Sequence, residues 1–294
     1  MKTVLIIIGM RRERMRRLKI TILCENTVGH LVGTGEHGFS AFVETEQGNY
    51  LFDTGNGHSI VSNSLVLGKD LRSIQKIFLS HGHPDHTGGL PEVLKLRGNV
   101  DVHAHPHLFS DRIAVLKEKD KETKRFVGVL YKRAYLEILG ARFLLNSDFA
   151  GIDQDMYLTG EVPRKTGFEK SDPRLFVEVD GRRIPDPFSD DQSLVLDTEK
   201  GLVLVLGCAH SGMINIIDHV MNKMKKEKFY AVLGGTHLDF LTPEQLEQSI
   251  LSLKRIEVDR IGVSHCTGMR AACRLHQEFG DRFFRGCVGS VLEL

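Results

Sequence analysis

Along the first hundred residues apolar and polar side chains alternate in short runs, and each run ends in a loop of glycine and charged residues. Residues 18–24 and 39–45 carry the period of two that marks a strand, and 50–52 and 77–79 are short apolar runs entering polar loops. A helix is expected over 89–96 and a strand near 100–103. In the second half, 193–196 and 202–206 read as a hairpin turning at Glu199-Lys200-Gly201. An amphipathic helix over 214–225 and a strand at 230–233 follow. Thr242, Pro243 and Gln245 spell a helix start, with a threonine cap, proline in the first turn and glutamine three residues after the cap. That helix runs to about residue 256 and leads to a strand at 260–263, just before His265.

The pattern repeats. Residues 40–51 match 193–204 at a constant offset of 153, with Ser40/Ser193, Thr45/Thr198, Glu46/Glu199, Gly48/Gly201 and Leu51/Leu204 identical. The same offset brings the loop at Asp53 near Cys208 and the loop after 77–79 near the loop after 231–233. Two similar halves would send their loops to one edge and form a site where they meet.

Composition narrows the function. The 294 residues are 41% hydrophobic and 26% charged, which supplies a core and excludes wholesale disorder. Lys and Arg number 39 against 38 Asp and Glu, a balance that argues against a chain built to hold a nucleic-acid backbone. No stretch approaches the ~20 apolar residues of a membrane span. The five cysteines (Cys24, Cys208, Cys266, Cys273, Cys287) include no CxxC pair, so neither a disulfide framework nor a zinc ribbon is expected. Near the start, apolar residues 4–8 precede Arg11, Arg12, Arg14, Arg16 and Arg17, the reverse of a secretory signal. The expectation is a cytoplasmic protein with a disordered extension over 1–17 and one domain over 18–294. Residues 106–190 are less regular and read as an insertion or lid. Within them 117–133 is dense in charge, read first as a solvated helical face and alternatively as a lid with a basic side toward an anionic substrate. Arg164, in a turn-rich loop, is a candidate anion contact. Gly33, Gly35 and Gly38 lack the strand–loop–helix order of a phosphate loop.

The strongest chemical signal is Ser80-His81-Gly82-His83-Pro84-Asp85-His86. Gly82 and Pro84 forbid a continued strand or helix, so the side chains leave a tight loop in different directions. Imidazole nitrogen and carboxylate oxygen suit zinc and similar metals. Ligands this close in sequence divide between two neighbouring ions, His81 and His83 on one, Asp85 and His86 on the other.

This loop resembles the H-x-H-x-D-H signature of the metallo-β-lactamase superfamily, and the resemblance extends over most of 18–294. It implies an αββα sandwich, two mixed sheets flanked by helices, an α/β (α+β) fold. It gives Asp53 the role of orienting a metal-binding histidine, and His265 that of the last ligand, after a C-terminal strand. His210 is assigned as the remaining ligand of the first ion. Many members carry Gly-Asp after a strand where this chain has Leu206-Gly207-Cys208-Ala209-His210. Cys208 is read there as a small buried strand-end residue, with ligation as the alternative. His237 is expected in the site as a ligand, proton donor or substrate contact. Gly35-Glu36-His37-Gly38, Thr159-Gly160-Glu161-Val162-Pro163-Arg164 and His265-Cys266-Thr267-Gly268 are similar to the branch of metal-dependent hydrolases that includes the archaeal dihydropterin ribofuranosyl-aminobenzene phosphate synthases of methanopterin biosynthesis.

The resemblance implies one or two zinc ions, with manganese, iron or magnesium as alternatives, and a hydrolase that turns an ion-held hydroxide on an ester or phosphoester of a small, anionic molecule. Asp85 and His237 would move protons. The alternative enzyme is a transferase joining a dihydropterin diphosphate to an aromatic ribosyl phosphate; the non-enzymatic alternative is a metal-binding sensor. Diiron oxygen chemistry is disfavoured because members that perform it usually carry Glu where this chain has His83. Nucleic acid and membrane are not expected partners, and a homodimer is left open.

Overall fold

Strands form where apolar residues alternate, and here both faces of each strand are apolar. Ile20 and Ile22 enter one cluster with Phe39, Val43, Tyr50, Phe52 and Phe78, whereas Leu23, Phe42, Leu51 and Ile77 enter another. In the second half Val203 and Val205 join the first of these clusters, and Leu202, Leu204 and Leu206 form a third. Strands apolar on both sides must be covered on both sides. The result is three core layers, and hence two sheets face to face with helices outside.

The computed structural model describes residues 14–29, 31–118 and 121–294. Among them, the first sheet has the order Val291–Glu293, Leu18–Cys24, Ser40–Thr45, Asn49–Phe52, Ile74–Phe78, Val100–Ala104, Ala141–Leu145. The second has the order Phe283–Arg285, Glu257–Ser264, Lys228–Gly235, Gly201–Leu206, Leu194–Thr198, Met156–Leu158, Ala150–Asp153. Helices Met213–Met224, Pro243–Leu253 and Gly268–Phe279 pack on the second sheet, and Ile60–Val66, Leu90–Arg97 and Arg133–Ile138 on the first. The expected cap is present: Thr242 Oγ1 accepts the Gln245 N–H at 3.3 Å.

The internal repeat has a topological counterpart. In each half an antiparallel hairpin (Ser40–Thr45 with Asn49–Phe52; Leu194–Thr198 with Gly201–Leu206) is extended by two parallel strands. The loops after Phe52, Phe78, Leu206, Gly235 and Ser264 therefore leave one edge of the sandwich. They carry Asp53, His81–His86, Cys208–His210, His237 and His265.

Two expectations change. The stretch 117–133, read first as a helical face, opens instead within a β-ribbon: Arg112–Glu118 pairs with Lys121–Phe126, and Leu175–Val179 and Arg182–Pro185 complete a four-stranded sheet. Val115 and Val177 anchor its buried face, an alternation hidden by the charges along its edge. Of the extension read over 1–17, residues 1–13 lie outside the described residues, but Met15 is 2% exposed and belongs to the core between the sheets. The N–H groups of Arg16 and Arg17 reach Glu46 at 2.7 and 2.6 Å, so the packed body includes Met15 and does not wait for Leu18. No helix among the described residues is long and apolar enough to cross a membrane.

Candidate metal centre

Of the eight non-glycine residues in left-handed backbone among the described residues, four lie at this sheet edge: Asp53 (φ 58°), Ala209 (55°), His237 (53°) and His265 (49°). Such conformations cost of order 1 kcal/mol or more each and persist where packing over-determines them. Here all four lie at the shared sheet edge, on the loops that bear the candidate ligands. Gly82 is obligatory in the metal loop, since a Cβ there would lie 2.0 Å from the Leu108 oxygen and 2.6 Å from Arg112 Nη1. Pro84 then starts the turn Pro84–Thr87, so His83 remains extended while Asp85 and His86 are helical.

His81, His83 and His210 form the first group. Their ring centroids are 4.6 to 4.8 Å apart, and one nitrogen of each lies within 4.8 Å of the others. His81 Nε2 is 3.1 Å from His83 Nδ1, near the about 3.3 Å that separates two nitrogens on one tetrahedral zinc. His210 Nε2 is buried without a hydrogen-bond partner, as is His83 Nε2 on the far side of that ring from the converging Nδ1. Burial drives all three rings to the neutral form, His83 to about 3 and His81 and His210 well below the usual range. Converging lone pairs with an orphaned buried nitrogen on His210 fit a bound cation.

Asp85, His86 and His265 form the second group. His265 Nε2 is 3.1 Å and His86 Nε2 3.9 Å from Asp85 Oδ2. Burial disfavours the Asp85 carboxylate, but His86 and His265 outweigh it and hold its pKa well down. Asp53 organises both groups. Its Oδ2 accepts His86 Nδ1–H at 2.6 Å and the Ser80 hydroxyl at 2.7 Å, while Oδ1 accepts the Ser80 N–H at 2.7 Å. Ser80 Oγ in turn lies 2.8 Å from His81 Nδ1. A proton on each Nδ1 leaves the Nε2 lone pairs of His81 and His86 aimed inward.

Cys208 lies inside the donor set and is more than a packing residue at a strand end. Its Sγ is 3.1 Å from His86 Nε2 and shares donor clusters with His81, with His210 and His237, and with His265 and Cys266. It thus sits between the two groups, at the strand end where the sequence lacks the usual aspartate. Without a cation, burial pushes its thiol pKa up.

His237 also reaches the cluster, 4.5 Å from the His210 ring. Its Nε2 is 3.3 Å from Asp172 Oδ2, and its Nδ1 is buried and unpartnered. Burial works against a charged ring, but Asp172 and Cys266 together outweigh it and push His237 up to about 9. Arg164 does not line the cavity below: its Nη2 donates to the His210 carbonyl at 2.6 Å and braces the turn under His210, while its Nη1 is buried without a hydrogen-bond partner.

The groups open into a cavity of about 460 Å³. One wall is the four-stranded sheet, through Ala114, Leu116, Leu175 and two arginines, Arg125 and Arg174. Arg174 pairs with Asp172 at 2.5 Å and lies 5.1 Å from the Phe240 ring centroid. His37 closes the other side, its Nε2 3.2 Å from Asp85 Oδ2. His37 and Arg174 carry no spacing signal that assigns them to this site; only the fold brings them in.

A model of the metallo-β-lactamase superfamily matches residues 33–265. Over 292 residues the chain is 32% identical to the 7,8-dihydropterin-6-methyl-4-(beta-D-ribofuranosyl)-aminobenzene-5'-phosphate synthase of Methanocaldococcus jannaschii, covering 95% of this chain and 98% of that one. An uncharacterised protein of the same organism is 32% identical over 278 residues, 93% of this chain and 99% of its own. A crystal structure of a metal-dependent hydrolase of the β-lactamase superfamily aligns with a TM-score of 0.81 at 27% identity, covering 94% of this chain and 99% of that one.

Proposed function

The chain belongs to the metallo-β-lactamase superfamily and is an enzyme; from that premise we propose that it is a zinc-dependent hydrolase of small anionic molecules carrying a phosphoester or ester. The observation that carries this reading is the convergence of His81, His83, Asp85, His86, His210 and His265, with Cys208 among them, beneath one cavity. His81, His83 and His210 would hold one ion and Asp85, His86 and His265 a second, with Cys208 between them. A divalent ion held there supplies a Lewis acid and a nucleophilic water at neutral pH.

The remaining steps belong to the chain's own groups. Asp53 keeps two imidazoles in the tautomer that presents Nε2. Arg125 on the cavity wall forms no ion pair among the described residues, which leaves it to hold an anionic group of the substrate. His237, backed by Asp172, is placed to give a proton to the leaving oxygen, and Asp85 to hold one from the attacking side. The apolar faces of Leu116, Leu175 and Phe240 exclude water from the rest of the cavity.

A second reading rests on the synthase relative, which matches nearly the whole chain. It makes this protein a transferase that joins a dihydropterin diphosphate to an aromatic ribosyl phosphate at the same centre. Metal analysis of the purified protein and a panel of phosphodiesters, lactones and pterin phosphates test the first reading. His81→Ala should lose metal and turnover together, and full activity with no bound metal would overturn it. Pyrophosphate release only when both transferase substrates are present would favour the second.

A further inference from the structure

Asn26 places its amide between two imidazoles of the site. Its Oδ1 lies 2.8 Å from His265 Nδ1 and accepts the Gly38 N–H at 3.4 Å, and its Nδ2 lies 3.3 Å from His37 Nδ1. A backbone N–H can only donate, so Gly38 fixes the amide oxygen on its own side and turns the NH2 toward His37. The consequences for the two rings are opposite. An amide oxygen only accepts, so His265 carries a proton on Nδ1, and Nε2 is the nitrogen left to face a cation. An NH2 only donates, so His37 keeps Nδ1 bare and carries its proton on Nε2. A doubly protonated His37 would set N–H against N–H at Asn26.

Both Nε2 atoms converge on one oxygen, Asp85 Oδ2, at 3.1 Å from His265 and 3.2 Å from His37. From His37 that oxygen receives an N–H. With His265 Nε2 the same oxygen either accepts an N–H or shares a cation with the nitrogen's lone pair, and 3.1 Å suits both. Glu25 Oε1 accepts the His265 backbone N–H at 2.6 Å and keeps the ring in place. His37 stands on the cavity wall with its side chain 64% exposed.

We infer that Asn26 is a positioning residue that sorts these histidines: it holds His265 so that Nε2 is the nitrogen facing a cation shared with Asp85, and His37 as the N–H donor that steadies Asp85 Oδ2 from the cavity side. The cation half rests on the metal reading above; the tautomer half stands without it.

Long-range ¹H–¹⁵N correlation on histidine-labelled protein reads both halves. In the metal-free chain His37 should be bare at Nδ1 and His265 protonated at Nδ1; a proton on His37 Nδ1, or none on His265 Nδ1, overturns the inference. After zinc loading, only His265 of the pair should show a metal-shifted Nε2, and the same shift at His37 would make it a ligand and overturn its donor role. Asn26→Asp offers two acceptors, so His37 should switch to Nδ1–H, and no switch removes Asn26 from the assignment. A wild-type chain that binds no zinc yet shows the two tautomers refutes the metal reading and leaves the sorting by Asn26 in place.

Discussion

Arg112→Met is expected to unsettle the metal loop from behind. Arg112 is 2% exposed and bridges two buried carboxylates, Nε to Asp186 at 2.8 Å and Nη2 to Asp190 at 2.6 Å. Each aspartate uses another oxygen on the site. Asp190 Oδ2 accepts the Gly82 N–H at 2.8 Å, and Asp186 Oδ1 accepts the N–H of Phe188 at 2.8 Å. The Phe188 ring stacks on His210 with centroids 4.1 Å apart and planes 5° from parallel. One guanidinium thus joins the cavity-wall sheet to both halves of the first ligand group. Burial already pushes Asp190 up to about 7 against the pull of Arg112. Removing the cation leaves two uncompensated carboxylates, a loss of about 3–5 kcal/mol from a total of roughly 5–15 kcal/mol. At roughly 2–4 °C per kcal/mol for a chain of this order of size, the melting midpoint of the metal-free protein should fall by about 10 °C. Zinc titration should show weaker binding at the His81–His83–His210 group. A midpoint and a zinc affinity both within error of the wild type would refute the claim that Arg112 ties the wall to the metal loop.

Two further predictions concern the ligands. Asp53→Asn keeps the shape of the side chain but replaces an acceptor with a donor, so His86 and Ser80 lose their fixed tautomer and rotamer; zinc affinity should fall ~10–100-fold, measured by competition with a chromogenic chelator. Cys208→Ser should abolish the thiolate-to-metal charge-transfer band of the cobalt-substituted protein and lower metal per chain, and an unchanged spectrum would remove Cys208 from the coordination sphere.

The sandwich was legible because its strands read as short apolar runs ending in polar loops, and because the hairpin motif recurs at a fixed offset. The His81–His86 loop was legible because its donors crowd into six residues broken by Gly82 and Pro84. Cys208 stayed open between packing and ligation because a short apolar stretch places a thiol at a strand end whatever it later meets. Arg164 could not be aimed from the sequence, and in the structure the His210 carbonyl takes one of its N–H groups. The wall sheet was hidden for a different reason: its strands, 112–126 and 175–185, pair across a long separation, and their exposed charges mask the alternation of Val115 and Val177. Asn26 and His37 are single polar residues in loops and acquire meaning only where strand edges align.

The central claim is that the chain's chemistry depends on cations held by this cluster. Its most direct test is to strip the purified protein with a chelator, count metal by mass spectrometry, and follow turnover of the best panel substrate as zinc is returned. The account predicts that activity vanishes with the metal and returns in step with it, while the His81→Ala protein neither regains metal nor activity. Turnover that survives complete stripping would contradict it.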